Sequence, residues 1–304
     1  MNFALAVGVV AGSILSGTSL LYATLGELVG ERAGIVNLGL EGLMLIGAAS
    51  GFAAAALTGS PYLGIAAAAA AGVSVNLIFA YLVVTRHANQ LATGLALMFF
   101  GIGLSALIGR PFVGALITGL PRLAVPGLEP GSIGARLLSY DVLVYLAVPA
   151  ALATWWLIFR TRWGLGLRTV GENPAAAFAA GLRPRSLQYQ ALMFAGAFGG
   201  IAGAHMSLAL TLTWDEGMTA GRGFIAIALV IFAKWNPLLA VVGALLFGGA
   251  EGLQLQLQAA GADVSPFIMN MTPYLLTLLV LILWGWRRQF AAPAMLGRSF
   301  VGVE

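Results

Sequence analysis

Residues 3–25 read FALAVGVVAGSILSGTSLLYATL, a run of twenty-three residues without an Asp, Glu, Lys or Arg. As an α-helix it would cover about 35 Å, enough to cross roughly 30 Å of hydrocarbon. No Lys or Arg precedes Arg32, so the basic n-region of a secretory signal is missing, and the run is too long for an h-region. It reads as a retained first span. Runs of this kind recur as far as Arg287. The chain has 304 residues, 60% hydrophobic and only 9% charged, where a soluble domain carries about a quarter of its residues as charges. A water-soluble sphere could not be covered by so few charges. Soluble enzymes, nucleic-acid-binding modules and disordered chains are thereby excluded, and no nucleic-acid partner is expected. The fold class is an all-α integral membrane protein, a polytopic helical bundle forming a single transmembrane domain over 1–304.

Breaks between apolar runs define about nine spans, near 3–24, 36–57, 62–84, 91–109, 140–159, 189–212, 217–233, 238–258 and 270–286. Direction follows from the basic residues. With the N-terminus outside, Arg32, Arg86, Arg160, Arg162, Arg168, Arg183, Arg185, Lys234, Arg287, Arg288 and Arg298 share one side, against Arg110, Arg122, Arg136 and Arg222 on the other. The richer side is cytoplasmic by the positive-inside rule, so the C-terminus faces in. Segment 217–233 is short and carries Arg222, and is either a span or a re-entrant piece. A re-entrant piece would export Arg287, Arg288 and Arg298, which the same rule disfavours, so it is taken as a span.

The net charge of +4 reads as topology, because the basic residues fall in the loops. With no cysteine and only His87 and His205, neither a thiolate nor a histidine metal site is expected. Glycines four apart, at Gly8/Gly12, Gly47/Gly51, Gly196/Gly200, Gly199/Gly203 and Gly248/Gly252, place smooth strips on helix faces and predict close packing. The outer loop, 110–139, holds Pro111, Pro121, Pro126 and Pro130 among glycines, which favours turns.

The cytoplasmic loop, 160–186, is the most polar part of the chain. Within it residues 164–186 read GLGLRTVGENPAAAFAAGLRPRS. Asn173 suits an N-cap and Pro174 a first helical position. Ala175–Ala180 are helix formers broken only by Phe178, and Gly181 suits the left-handed residue that ends a helix. The spacing predicts a helix of about two turns, capped at both ends. So short a helix is marginal alone in water; it either packs on its own bundle or offers Phe178 and the alanine face to a partner's groove.

This loop resembles the coupling-helix segment of ATP-binding-cassette (ABC) importer permeases. Two further stretches, Glu31–Ala48 (ERAGIVNLGLEGLMLIGA) and Gly221–Gly249 (GRGFIAIALVIFAKWNPLLAVVGALLFGG), resemble the nucleoside branch of that family, which is related to permeases for ribose-type sugars and branched-chain amino acids. Between Gln90 and Gly109 the match is looser. The resemblance implies a permease subunit that moves nucleosides or related purines inward by alternating access across the bacterial inner membrane. Implied partners are a cytoplasmic ABC ATPase, a second permease subunit (identical or homologous) and an extracytoplasmic substrate-binding protein. Glu172, Asn173, Pro174, Phe178 and Gly181 are then the ATPase-coupling element. The implied chain is a transport subunit without a catalytic site or cofactor, with ATP and Mg held by the ATPase. In keeping with that, no G-x-x-x-x-G-K-[ST] occurs, nor any H-E-x-x-H or G-x-S-x-G. Gly101-x-Gly103-x-x-Ala106 lies inside a span and Gly164-x-Gly166 follows no strand, so neither reads as a dinucleotide turn.

Glu41 and Glu251 are the ionisable residues expected within spans, in the like frames Gly39-Leu-Glu-Gly-Leu and Gly249-Ala-Glu-Gly-Leu. A charge at bilayer depth is costly and faces the bundle interior or a wet cavity. Each either hydrogen-bonds neighbouring backbone and locks a broken helix, or, for Glu41, lies at the inner interface, or couples protons, which belongs to the alternative of an ion-gradient-driven secondary transporter. Asn37, Asn76, His205, Gln254, Gln256 and Gln258 are the other polar positions near spans. Each is either helix–helix glue or a contact for solute. Asn37, Glu41, Asn76, His205 and Glu251 form the candidate translocation pathway. A pathway of amides, hydroxyls and small residues suits a small, neutral, polar solute, nucleoside or sugar; only the resemblance favours the former. A non-transporting scaffold would explain the glycines but leave the capped helix without purpose.

Overall fold

The computed structural model describes residues 3–123, 127, 132–259, 261, 271, 275, 278–279, 282 and 292–298, and among these all regular structure is helical. In chain order the helices are α1 (Phe3–Arg32), α2 (Leu40–Thr58), α3 (Pro61–Ala80), α4 (Gln90–Gly109), α5 (Ile133–Leu138), α6 (Val142–Arg160), α7 (Arg162–Glu172), α8 (Pro174–Ala179), α9 (Pro184–His205), α10 (Arg222–Phe232) and α11 (Pro237–Ala259). A π-turn extends α3 over Tyr81–Thr85, and another extends α9 over Met206–Leu210. Among the described residues seven helices (α1, α2, α3, α4, α6, α9 and α11) are long and apolar enough to cross a membrane. The expected ninth span, 270–286, lies outside the described residues except at five isolated positions.

Local chemistry sets many of the boundaries. Ser60 caps α3 with Pro61 behind it, Asn89 accepts the amide of Ala92, Asp141 those of Leu143 and Val144, and Thr161 that of Gly164. Elsewhere packing overrides the boundaries read from breaks in the apolar runs. Helix α1 runs past residue 24 to Arg32, carrying Glu27 and Glu31 into the core at 1% exposure each. Helix α2 starts at Leu40 rather than 36, because residues 34–39 turn back against α1 and α4 instead. Helix α9 begins at Pro184 rather than 189.

The helices meet through their glycines. Helices α1 and α11 are antiparallel: a Cβ on Gly12 would lie 2.9 Å from the Gly252 Cα, and one on Gly17 2.7 Å from the Ala244 carbonyl oxygen. Gly47 of α2 and Gly72 of α3 press on Gly200 and Gly196 of α9 with no space for a methyl group. Larger side chains would hold these backbones apart where lipid supplies no hydrophobic drive to close them. Away from these contacts the surface is apolar, as at Phe99, Leu107 and Trp156.

Segment 217–233 departs most from expectation. Only Arg222–Phe232 is helical, eleven residues and so about 16 Å long, too short to span. Thr24 of α1 donates to the Ala226 carbonyl and Arg32 to that of Trp235, so α10 runs parallel to the second half of α1 and begins near its middle. The preceding residues return into the bundle through left-handed Leu212, Gly217, Ala220 and Gly221. Irregular backbone is tolerated at such depth only where protein or a wet cavity supplies its hydrogen bonds. Arg222 therefore sits inside the bundle and not in an outer loop.

Candidate functional site

The start of α10 is the polar centre of the molecule. A helix start leaves amides unsatisfied and carries partial positive charge. Glu41, on the first turn of α2, meets both needs: its Oε1 accepts from the Gly221 amide at 2.7 Å and the Thr219 hydroxyl at 2.6 Å, and its Oε2 accepts from the Gly223 amide at 2.6 Å. One residue between these amides, Arg222 turns the other way and forms a two-pronged pair with Glu251 of α11. Its Nε lies 3.1 Å from Oε1 and its Nη2 2.9 Å from Oε2, and Nη1 reaches the Met206 sulfur at 3.5 Å. Parallel N–H···O bonds of this kind are the strong form of the ion pair. The Arg222 and Glu251 side chains keep 22% and 13% exposure, so the pair faces space and not core.

The two like-framed carboxylates thus converge on one helix start. Glu41 hydrogen-bonds the start of α10, and Glu251 pairs with its arginine. Thr219 and Arg222 belong to this centre and carry no signal in the sequence beyond an arginine within an apolar run.

The other expected pathway residues are placed differently. Asn37 donates through Nδ2 to the Asn76 Oδ1 at 2.9 Å, and its own Oδ1 accepts the Gly39 amide. Asn76 donates to the Leu192 carbonyl at 2.6 Å. Both are buried, and in this conformation they tie the 34–39 turn to α3 and α9. Glu27 accepts the Asn37 amide, and Glu31 the Trp235 indole N–H. The break in the apolar run near residue 24 lies before both; Glu-x-x-x-Glu among Leu28 and Val29 is the signal for one shared helix face. His205, fully buried, lies 3.6 Å from Asp141 through Nε2, and neither ring nitrogen has a hydrogen-bond partner among the described residues. Burial by itself would raise the Asp141 pKa, but His205 and the Leu143 and Val144 amides outweigh it and hold the carboxyl below the usual carboxylate range. His205 and Asp141 meet where α9 reaches the start of α6, one residue before the Met206 that Arg222 touches.

At the end of the bundle where α1 stops, the short helix is found where its caps place it. Asn173 Oδ1 accepts from the Ala176 amide at 3.0 Å, Pro174 follows, and Gly181 is left-handed at φ +81°. Ala177 and Pro174 face inward while Ala175, Ala176 and Phe178 face out, Phe178 at 46% exposure. The amphipathic α7 before it was not anticipated. Its last turn is pressed against the end of α1: a Cβ on Gly171 would strike the Arg32 carbonyl.

A C-terminal turn, residues 292–298, closes this end. The Met295 amide donates to the Gly171 carbonyl at 3.0 Å, and the Ala294 amide to Glu172 Oε2 at 3.3 Å. Gln90, at the start of α4, joins the turn to the α1–α2 connection. Its Oε1 accepts from the Val36 and Gly297 amides, and its Nε2 donates to the Gly34 and Arg298 carbonyls, all between 3.0 and 3.1 Å. That is the full capacity of a glutamine amide. The last turn of α7, the C-terminal turn and the α1–α2 connection are therefore one hydrogen-bonded unit.

Residues 9–284 match the family described as branched-chain amino acid transport system / permease component. The chain is 38% identical to the putative glucose ABC transporter permease protein TsgC13 of Haloferax volcanii, over 92% of each chain. It is 33% identical to the guanosine ABC transporter permease protein NupQ of Bacillus subtilis over 90% of each. It is also 31% identical to the nucleoside ABC transporter permease protein NupC of Lactococcus lactis, over 91% of this chain and 92% of that one. No solved structure matches.

Proposed function

The chain belongs to the branched-chain amino acid transport system permease family and is a permease subunit of an ABC transporter, and from that premise we propose that it imports purine nucleosides. The observation that carries the solute is the likeness to the guanosine and nucleoside permeases along nine-tenths of the chain. The relative named for glucose makes a sugar the competing solute. Both are small, neutral and polar, and both agree with a bundle whose central arginine is neutralised by Glu251.

In this reading the chain is one permease half in the cytoplasmic membrane, N-terminus out and C-terminus in. It works with a second permease half, an extracytoplasmic binding protein, and cytoplasmic ATPases that hold ATP and Mg. Helix α8 is the coupling element: its exposed Phe178 and alanines enter a groove of the ATPase, whose closure shifts α8. Glu172 and Gly171 carry the shift to the C-terminal turn, and Gln90 carries it to the α1–α2 connection. From there α2 begins, with Glu41 on the start of α10. Two bundle states that contact the ATPase differently are what ATP binding can bias.

Uptake of labelled guanosine and labelled glucose into vesicles carrying the whole transporter and its binding protein tests the solute. Guanosine uptake that depends on ATP is expected; uptake of glucose alone overturns it. For coupling, Phe178→Asp is expected to insert normally yet abolish uptake and ATPase stimulation, and Gly181→Val to do so by unwinding the helix end. Normal uptake by Phe178→Asp would remove α8 from this role.

A further inference from the structure

Along α11, Glu251 stands fourteen residues after Pro237 and eight before Ala259, so about 21 Å from one end of the helix and about 12 Å from the other. At that depth the Glu251 and Arg222 side chains still keep 13% and 22% exposure. A charge within the hydrocarbon is costly and faces protein or a wet cavity, so what lies over this opening is not lipid.

Two further observations favour water over protein. The first is how the chain reaches the pair. At the end of the bundle opposite α7 and α8, the Leu212 carbonyl accepts from the Ile117 amide. From there to α10 the backbone is irregular, and Asp215, Glu216, Gly217 and Ala220 are exposed along it. Such backbone is tolerated at depth only beside protein or a wet cavity, and exposed acidic residues suit the second. The second observation is that Arg222 is under-used. Its Nε and Nη2 are taken by Glu251, whereas Nη1 meets only the Met206 sulfur, at 3.5 Å, among the described residues. A thioether is a weak acceptor for one of five N–H donors. A partly exposed guanidinium nitrogen without an oxygen acceptor has a donor left for water or for a solute.

We propose that the Arg222–Glu251 pair is part of the wall of a water-filled solute path, entered along residues 215–220. At the pair, Arg222 Nη1 donates to a hydroxyl or carbonyl oxygen of an uncharged solute. The proposal rests on the transport reading above and adds the place in this chain where the solute is met. It needs only an uncharged, oxygen-bearing solute, so it holds for a nucleoside and for a sugar. Glu251 makes the wall polar without net charge, so the arginine can donate to a neutral solute without drawing in anions.

The test uses the assembled transporter in its membrane. The chain has no cysteine, so Ala220→Cys gives it a single thiol, two residues before Arg222. A membrane-impermeant quaternary-ammonium methanethiosulfonate reacts with thiolates, which form in water and not in lipid. Labelling of this chain should be at least tenfold faster in Ala220→Cys than in Phe99→Cys or Trp156→Cys, on the apolar surface. Guanosine should slow it at least threefold. Adding Arg222→Lys keeps a cation for Glu251 but removes the other guanidinium nitrogens, and should raise the half-protecting guanosine concentration about tenfold. If Ala220→Cys does not assemble, Glu251→Cys reports the same opening.

Labelling of Ala220→Cys and Glu251→Cys as slow as that of Phe99→Cys overturns the path, because lipid or the second permease half then covers the opening. Fast labelling that neither guanosine nor glucose slows, in membranes that take up guanosine, overturns it as well. Protection by glucose and not by guanosine upholds the path and overturns the nucleoside reading instead. Protection that Arg222→Lys leaves unchanged overturns the arginine's role as donor.

Discussion

Glu41 accepts the Gly223 amide at 2.6 Å, and a Cβ on Gly223 would lie 2.5 Å from the Glu41 Cα. The carboxylate can cap α10 from another helix only because position 223 has no side chain. Gly223→Ala should therefore force α2 and α10 apart, at a cost of about 1–3 kcal/mol for overpacking. Glu41→Ala instead leaves the space and strands the Thr219 hydroxyl and two amides, costing about as much or more. Thermal unfolding of the detergent-solubilised protein checks both. Unaltered melting of Gly223→Ala would mean that the two helices are not in this contact.

Arg222 and Glu251 should behave as a pair. Either Arg222→Met or Glu251→Met alone leaves one charge uncompensated inside the bundle, and partial exposure of both side chains limits the loss to about 1–3 kcal/mol. The double change Arg222→Met with Glu251→Met should recover at least half of it. A double-mutant cycle on thermal unfolding reads the coupling directly; additive losses would show that the residues do not interact.

Gln90→Leu removes both bonds that hold the C-terminal turn and both that hold the α1–α2 connection. Four backbone groups then lose their partner, and loss of about 1.4 kcal/mol of local stability corresponds to tenfold faster opening. Hydrogen exchange at Met295 and Gly297 should accelerate by at least that factor while the amides of α11 keep their protection. Exchange as slow as in the wild type would show that the turn is held by other contacts.

Asp141 gives a pH dependence with a definite sign. Its folded pKa lies below the ordinary 3.8, so the unfolded chain binds the proton more readily and stability falls as the pH drops below about 4. Above that range the contribution is complete. Asp141→Asn keeps an oxygen for the Leu143 and Val144 amides, so at pH 7 it should be less stable than wild type by only about 1 kcal/mol, the difference between a charged and a neutral acceptor toward those amides and His205. The difference in melting temperature should shrink as the pH is lowered from 5 to 3. A gap that stays constant over that interval would dissociate the carboxylate charge from the stability of this corner.

The resemblance to the permease family rests chiefly on Glu31–Ala48 and Gly221–Gly249, and in three dimensions these stretches hold each other. Glu31 accepts from the Trp235 indole, and Glu41 from the amides of Gly221 and Gly223. Nothing in either stretch announces the other, because a side chain that caps a helix from nearly two hundred residues away leaves no local pattern. The caps of α8 were legible for the opposite reason: Asn173, Pro174 and Gly181 act on residues within one turn of themselves.

What the sequence determined by itself is therefore what short-range physics decides: hydrocarbon-crossing helices, the basic side of the bundle, the glycine strips and the capped loop helix. Depth is not such a quantity. An apolar run has the same composition whether it crosses the whole membrane or, like Arg222–Phe232, only half of it. The apolar run breaks near residue 24, yet Glu27 and Glu31 continue the helix because the Asn37 amide and the Trp235 indole come to meet them. Only the tertiary structure could decide which polar groups find partners across the bundle. In a medium without water, that alone determines whether a glutamate ends a helix, caps one or neutralises an arginine.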